Sequence, residues 1–66
     1  MRLTVNGTPQ EVAEGTSLPA VIEQLGLRVG SVVVEHNGTA LLRSEVLATT
    51  LADGDVLELV RAVAGG

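Results

Sequence analysis

Near the start of the chain, Asn6-Gly7 separates two short stretches in which apolar and polar residues alternate. Leu3 and Val5 alternate with Arg2 and Thr4 before it, and Val12 stands among Gln10, Glu11 and Glu14 after it. The dipeptide is constraining because a two-residue type I′ turn needs positive φ at both central positions, which Asn tolerates and Gly adopts freely. Alternation at a period of two is the mark of a half-buried strand. Together they predict a β-hairpin at the N-terminus, with its second strand at Gln10 to Glu14. Pro9 has no amide to donate and suits the turn or an outer edge.

At Gly15-Thr16-Ser17 the period changes. Leu18, Val21, Ile22 and Leu25 recur at i, i+3, i+4 and i+7, the stripe of a helix with one buried face. Ser17 supplies an N-cap oxygen, Pro19 falls where a missing N–H costs nothing, and Gly26 suits the left-handed stop. The spacing predicts a helix of about ten residues. Val32-Val33-Val34 then reads as a central strand with Val32 and Val34 inward, bounded by Gly30 and Asn37-Gly38. His36 ends that strand as a partly wet ring, since a lone His has no partner ligands for a metal. Ala40 to Leu42 forms a short strand, and Ser44 to Thr50 a turn of helix or 3₁₀-helix anchored by Val46, Leu47 and Leu51. Asp53-Gly54-Asp55 is a tight turn, with both aspartates as turn formers. The last strand runs from Val56 to about Ala62, with Leu57 and Leu59 inward.

The order strand, strand, helix, strand, strand, strand predicts an α+β fold. A mixed sheet of about five strands carries one helix across one face, with the first and last strands parallel and adjacent in the middle. That arrangement is the β-grasp. The chain forms a single domain over 1–66, with 62–66 as a C-terminal tail, and begins at Met1 as a self-contained unit.

Composition removes most chemistries. A domain of this size buries only about 60% of its unfolded surface, and the core must come from eleven Val, ten Leu and one Ile without any aromatic residue. The absence of Cys excludes disulfides, thiolate metal sites and cysteine nucleophiles, and the absence of Lys excludes Schiff bases. Eight acids against four arginines give a net charge of −4, with no basic stripe and no aromatic on which a base could stack, so nucleic acid is excluded as a partner. Apolar runs are too short to span a bilayer and no signal peptide is visible, which points to a cytoplasmic protein. The inventory does not support an enzyme, a metal site or a bound cofactor.

The chain closes Arg61-Ala62-Val63-Ala64-Gly65-Gly66. A diglycine end without Cβ atoms is a narrow thread that can enter a slot closed to larger residues. Five residues from Ala62 extend at most about 16–18 Å. At its tip the α-carboxyl of Gly66 is the one reactive group left by this composition. A carboxylate is a poor electrophile and must be activated, for example as an acyl-adenylate made from ATP. No phosphate-binding loop is present, so the activation belongs to another protein. Val60, Ala62 and Val63 lie outside the inferred core face and form either an exposed apolar patch for docking on that protein or a cover for the sheet edge. Arg61 either pairs with a partner's acid or is solvated.

These features, in this order and spacing, resemble the ubiquitin-like sulfur carriers of the ThiS family over essentially the whole chain. The supports are Asn6-Gly7, the helix Ser17-Leu18-x-x-Val21-Ile22-Glu23-Gln24-Leu25, and Val32-Val33-Val34-x-x-Asn37-Gly38. Arg43-Ser44-Glu45, Leu51-x-Asp53-Gly54-Asp55-x-Leu57-Glu58-Leu59 and the final Gly65-Gly66 complete them. Leu42 and Val46 depart from the proline and aromatic residue that often flank the family's arginine. The resemblance implies that an adenylating enzyme similar to ThiF or MoeB, using ATP and Mg²⁺, activates Gly66. It further implies that a cysteine desulfurase system supplies sulfur for a thiocarboxylate, and that a ThiG-like thiazole synthase consumes it in thiamine biosynthesis. A molybdopterin-synthase small subunit, another metabolic sulfur carrier and a plain β-grasp interaction module remain alternatives.

Overall fold

A computed structural model describes residues 1–62. Strand β1 (Arg2–Val5) turns into β2 (Thr8–Glu11), followed by helix α1 (Leu18–Gln24) and a 3₁₀ turn (Val29–Ser31). Strands β3 (Val32–His36) and β4 (Thr39–Ala40), helix α2 (Arg43–Ala48) and β5 (Val56–Arg61) complete the chain order. The sheet order is β2-β1-β5-β3-β4, with β1 and β5 parallel and the other pairs antiparallel. This is the β-grasp expected from the order of elements, and the final strand lies at its centre.

One face of the sheet is covered. Leu3 and Val5 from β1, Val34 from β3, and Leu57 and Leu59 from β5 pack with Leu18, Val21 and Ile22 of α1, Val46 of α2 and Leu51. The alternation that turns Leu57 and Leu59 inward leaves Val56 and Val60 outside. Helix α1 is shorter than the ten residues expected, because Ser17 and Leu25 serve as its caps and stand outside the seven helical residues. The Ser17 hydroxyl accepts from the Ala20 amide at 3.2 Å, and Gly26 takes a φ of 79°.

Other boundaries also move. Strand β2 starts at Thr8 because the two-residue turn places Thr8 directly opposite Val5, which spends no residues on a longer loop. Ala40 to Leu42 does not continue as a strand. Leu42 is instead the N-cap residue of α2, and its amide donates to the Glu45 carboxylate at 2.7 Å. Leu47, expected as an anchor, is 63% exposed, while its neighbour Val46 is buried. Successive helical residues point about 100° apart, so a helix this short cannot bury both.

Both Asn-Gly turns do more than reverse the chain. Asn6 and Asn37 adopt φ values of 49° and 50°, and their side chains reach the central strand from opposite flanks. The Asn6 side chain accepts from the Leu59 amide at 2.8 Å and donates to the Leu59 carbonyl at 3.1 Å. On the other flank, the Asn37 side chain accepts from the Val56 amide at 2.8 Å. Side chains thus extend the main-chain ladders on both sides of β5, satisfying groups that would otherwise be unpaired at the sheet's centre. Among the described residues, no helix is long and apolar enough to cross a membrane.

Candidate functional site

Strand β5 is the element that carries the chain toward its glycine end, so its exit is the place to look for function. Val60 stands opposite Val33 on the open face of the sheet, and the two are 61% and 50% exposed. The next cross-strand pair on that face is Glu58 with Glu35, both exposed. Arg61 alternates to the other side and joins the end of α1. The structure therefore does not bring the two docking candidates Val60 and Arg61 onto one surface. The Ala62 amide donates to the Ser31 carbonyl at 2.8 Å, so the 3₁₀ turn holds the chain as far as that residue. Val63, Ala64, Gly65 and Gly66, the remaining residues singled out in the sequence, lie outside the described residues.

Beside this exit is a cleft of about 280 Å³ lined by Gly26, Leu27, Arg28, Ser31, Arg61 and Ala62. The arginines are distributed unevenly around the molecule. Arg2 pairs with Glu11 at 2.9 Å. The Arg43 guanidinium lies against Gly30, 3.3 Å from the position that a Cβ would occupy there. Arg28 and Arg61 border the cleft, and among the described residues neither has a carboxylate within 4.0 Å. Three of the four arginines thus surround the turn at residues 28–31, although the chain as a whole carries a net charge of −4.

The opposite end of β5 is closed. Asp55 is only 8% exposed. Its Oδ2 accepts from the Ala52 amide at 2.9 Å and lies 2.8 Å from His36 Nε2, while Oδ1 accepts from Asn37 Nδ2 at 3.1 Å. Burial pushes this carboxyl up, but the hydrogen bonds from His36, the Ala52 amide and Asn37, with the charge of His36, outweigh it and hold the carboxyl below its usual 3.8. Asp55 is the turn former expected, through its bond to the Ala52 amide three residues earlier, whereas Asp53 ties the turn to β1, its Oδ1 accepting from the Arg2 amide at 2.6 Å. His36 is the partly wet strand end expected, its side chain 22% exposed, but sequence reasoning missed its bond to Asp55 and the role of Asp55 as an anchor. The only signal was an ionisable residue at each of two strand ends nineteen positions apart, which topology had to bring together. This cluster does not line the cleft at the exit.

Comparisons with known proteins extend the picture through the end of the chain. Residues 3–66 match the model of the ThiS family. The chain is 40% identical over 62 residues to the sulfur carrier protein ThiS of Thermus thermophilus, covering 94% of this chain and 95% of that one. It is 32% identical over 66 residues to the thiazole synthase of Magnetococcus marinus, where it spans all of this chain but only 20% of the longer protein. Among solved structures, the crystal structure of the thiamine biosynthesis protein ThiS from Geobacter metallireducens superposes with a TM-score of 0.82 at 39% identity, covering all of both chains.

Proposed function

The chain belongs to the ThiS family, and from that premise we propose how its parts divide the work. It is a small sulfur carrier of thiamine biosynthesis, serving thiazole formation, and not itself the catalyst. The β-grasp body is the handle by which partner enzymes hold the chain, and the α-carboxyl of Gly66 is the group they charge and discharge. The observation that carries this reading is the diglycine end, which falls within the family match.

The chemistry follows from the poor electrophilicity of a carboxylate. An adenylating enzyme similar to ThiF or MoeB binds the body and brings Gly66 to ATP and Mg²⁺. A carboxylate oxygen attacks the α-phosphorus, pyrophosphate leaves, and the acyl-adenylate has AMP as its leaving group. A persulfide from a cysteine desulfurase system attacks the carbonyl and expels AMP, and a second thiol cleaves the S–S bond to leave the thiocarboxylate. A ThiG-like thiazole synthase takes that sulfur. All of these steps are placed in the cytoplasm. The lack of Cys means that sulfur is not stored on a side chain of this protein. Similarity to thiazole synthases as well as to ThiS supports this pathway over molybdopterin synthesis.

ATP–pyrophosphate exchange tests the first step. The adenylating enzyme exchanges label only when the intact chain is present, and deletion of Gly66 returns the exchange to background while the melting temperature stays unchanged. Exchange that survives the deletion contradicts the assignment of Gly66.

A further inference from the structure

The Val33–Val60 face and the diglycine end are absorbed by the carrier reading, and the His36–Asp55 pair by the fold. The cleft at the exit of β5 is not absorbed by either. We infer that the cleft between Arg28 and Arg61 receives a carboxylate side chain of the enzyme that admits the diglycine end, and so sets the angle at which the tail enters that enzyme. The inference rests on the carrier reading for the identity of the partner.

Charge is the first support. Two guanidinium groups border one cleft in a protein with a net charge of −4, and among the described residues no carboxylate lies within 4.0 Å of either. Arginine side chains near a helix end commonly satisfy its last carbonyls, yet neither guanidinium makes a hydrogen bond among the described residues. The last turn of α1 is closed instead by main-chain bonds, from Gly26 to Glu23 at 2.9 Å and from Leu27 to Ile22 at 3.1 Å. Among the described residues the fork of donors on each arginine is therefore unengaged, and a carboxylate is the group whose two oxygens match it.

Size and position narrow the ligand. The cleft holds about 280 Å³, enough for a side-chain tip and too little for a folded segment. An extended polyanion or an anionic membrane meets the whole molecule and is repelled by its net charge, whereas one carboxylate meets only the local pair. Ala62 forms part of the lining, with its amide fixed to Ser31, so any group bound there touches the point from which the tail departs. Arg43 adds charge behind the turn without entering the cleft, because its guanidinium packs on Gly30.

The test uses the full chain and the adenylating enzyme, with pyrophosphate release measured against carrier concentration. The double variant R28A/R61A raises KM about ten-fold while kcat changes less than about two-fold, which is the pattern of lost binding. Added salt raises the wild-type KM and leaves that of the double variant nearly flat. The charge reversal R28E/R61E raises KM further, whereas R2A, which removes an arginine remote from the cleft, leaves it unchanged. Melting temperatures confirm that each variant folds. A double variant with the wild-type KM and salt response overturns the cleft's role alone. A wild-type chain that the enzyme never adenylates overturns the carrier reading and removes the cleft's partner with it.

Discussion

Strand β5 enters the sheet at Val56 among the side chains of Asn37, Asp55 and His36, and it leaves at Arg61 beside a cleft bordered by two guanidiniums that have no carboxylate within 4.0 Å among the described residues. At the entrance, a buried carboxylate takes up donors from three separate residues. At the exit, the next residue keeps one main-chain bond to Ser31, and the neighbouring side chains face solvent. The contrast teaches how bonding and exposure divide along the strand. Buried polar bonding is concentrated where the strand begins, and exposed side chains are concentrated where it ends. Substitutions along a single strand should therefore sort by position, with those near Val56 affecting stability and those near Arg61 affecting partner enzymes.

The largest effect is expected in the core between the two ends. Leu57 has no exposed surface, and Leu57→Ala should cost about 2–5 kcal/mol in urea unfolding, enough to unfold a domain of this size. A cost below about 1 kcal/mol would mean that the core is not centred on this strand. Next comes the entrance. Asp55→Ala leaves the Ala52 amide without its acceptor and should cost about 1–3 kcal/mol. Its dependence on pH has a definite sign. The folded carboxyl titrates below its usual value, so its contribution is present above that value and is lost as pH falls through the folded one. The stability gap between wild type and Asp55→Asn should accordingly shrink on acidification below about pH 4. A gap that widens there would contradict the pairing with His36.

A smaller effect is expected from Asn6→Gly, which keeps the left-handed turn but removes both side-chain bonds to Leu59. It should cost about 1–2 kcal/mol and accelerate hydrogen exchange at the Leu59 amide. The smallest is at the exit. Val60→Ser, on a side chain 61% exposed, should change stability by less than about 0.5 kcal/mol while weakening capture by the adenylating enzyme. A large loss of stability from Val60→Ser would erase the distinction between the two ends.

Much of this organisation was legible in the residues. Asn6-Gly7 specified a turn, the stripe from Leu18 to Leu25 specified a helix with one buried face, and the alternation of Leu57 and Leu59 identified the core side of β5. These are local signals, since each depends on residues within about one or two turns of chain. What escaped depends on contacts made across the fold. Asn6 reaches Leu59 over 53 positions and Asp55 reaches His36 over 19, and no periodicity encodes such partners. The same limit applies to the cleft, where Arg28 and Arg61 come to line one space through the pairing of β5 with β3 and the bond from Ala62 to Ser31. Leu47 shows the reverse error, since its composition promised burial that a six-residue helix could not provide.

The central claim concerns a single atom at the end of the chain. Intact-mass spectrometry after incubation with the adenylating enzyme, ATP, a cysteine desulfurase and cysteine tests it most directly. The account predicts a product in which one oxygen has been replaced by sulfur, with fragmentation placing that sulfur at Gly66. An unchanged mass under conditions that consume ATP, or sulfur found at any other residue, would contradict it.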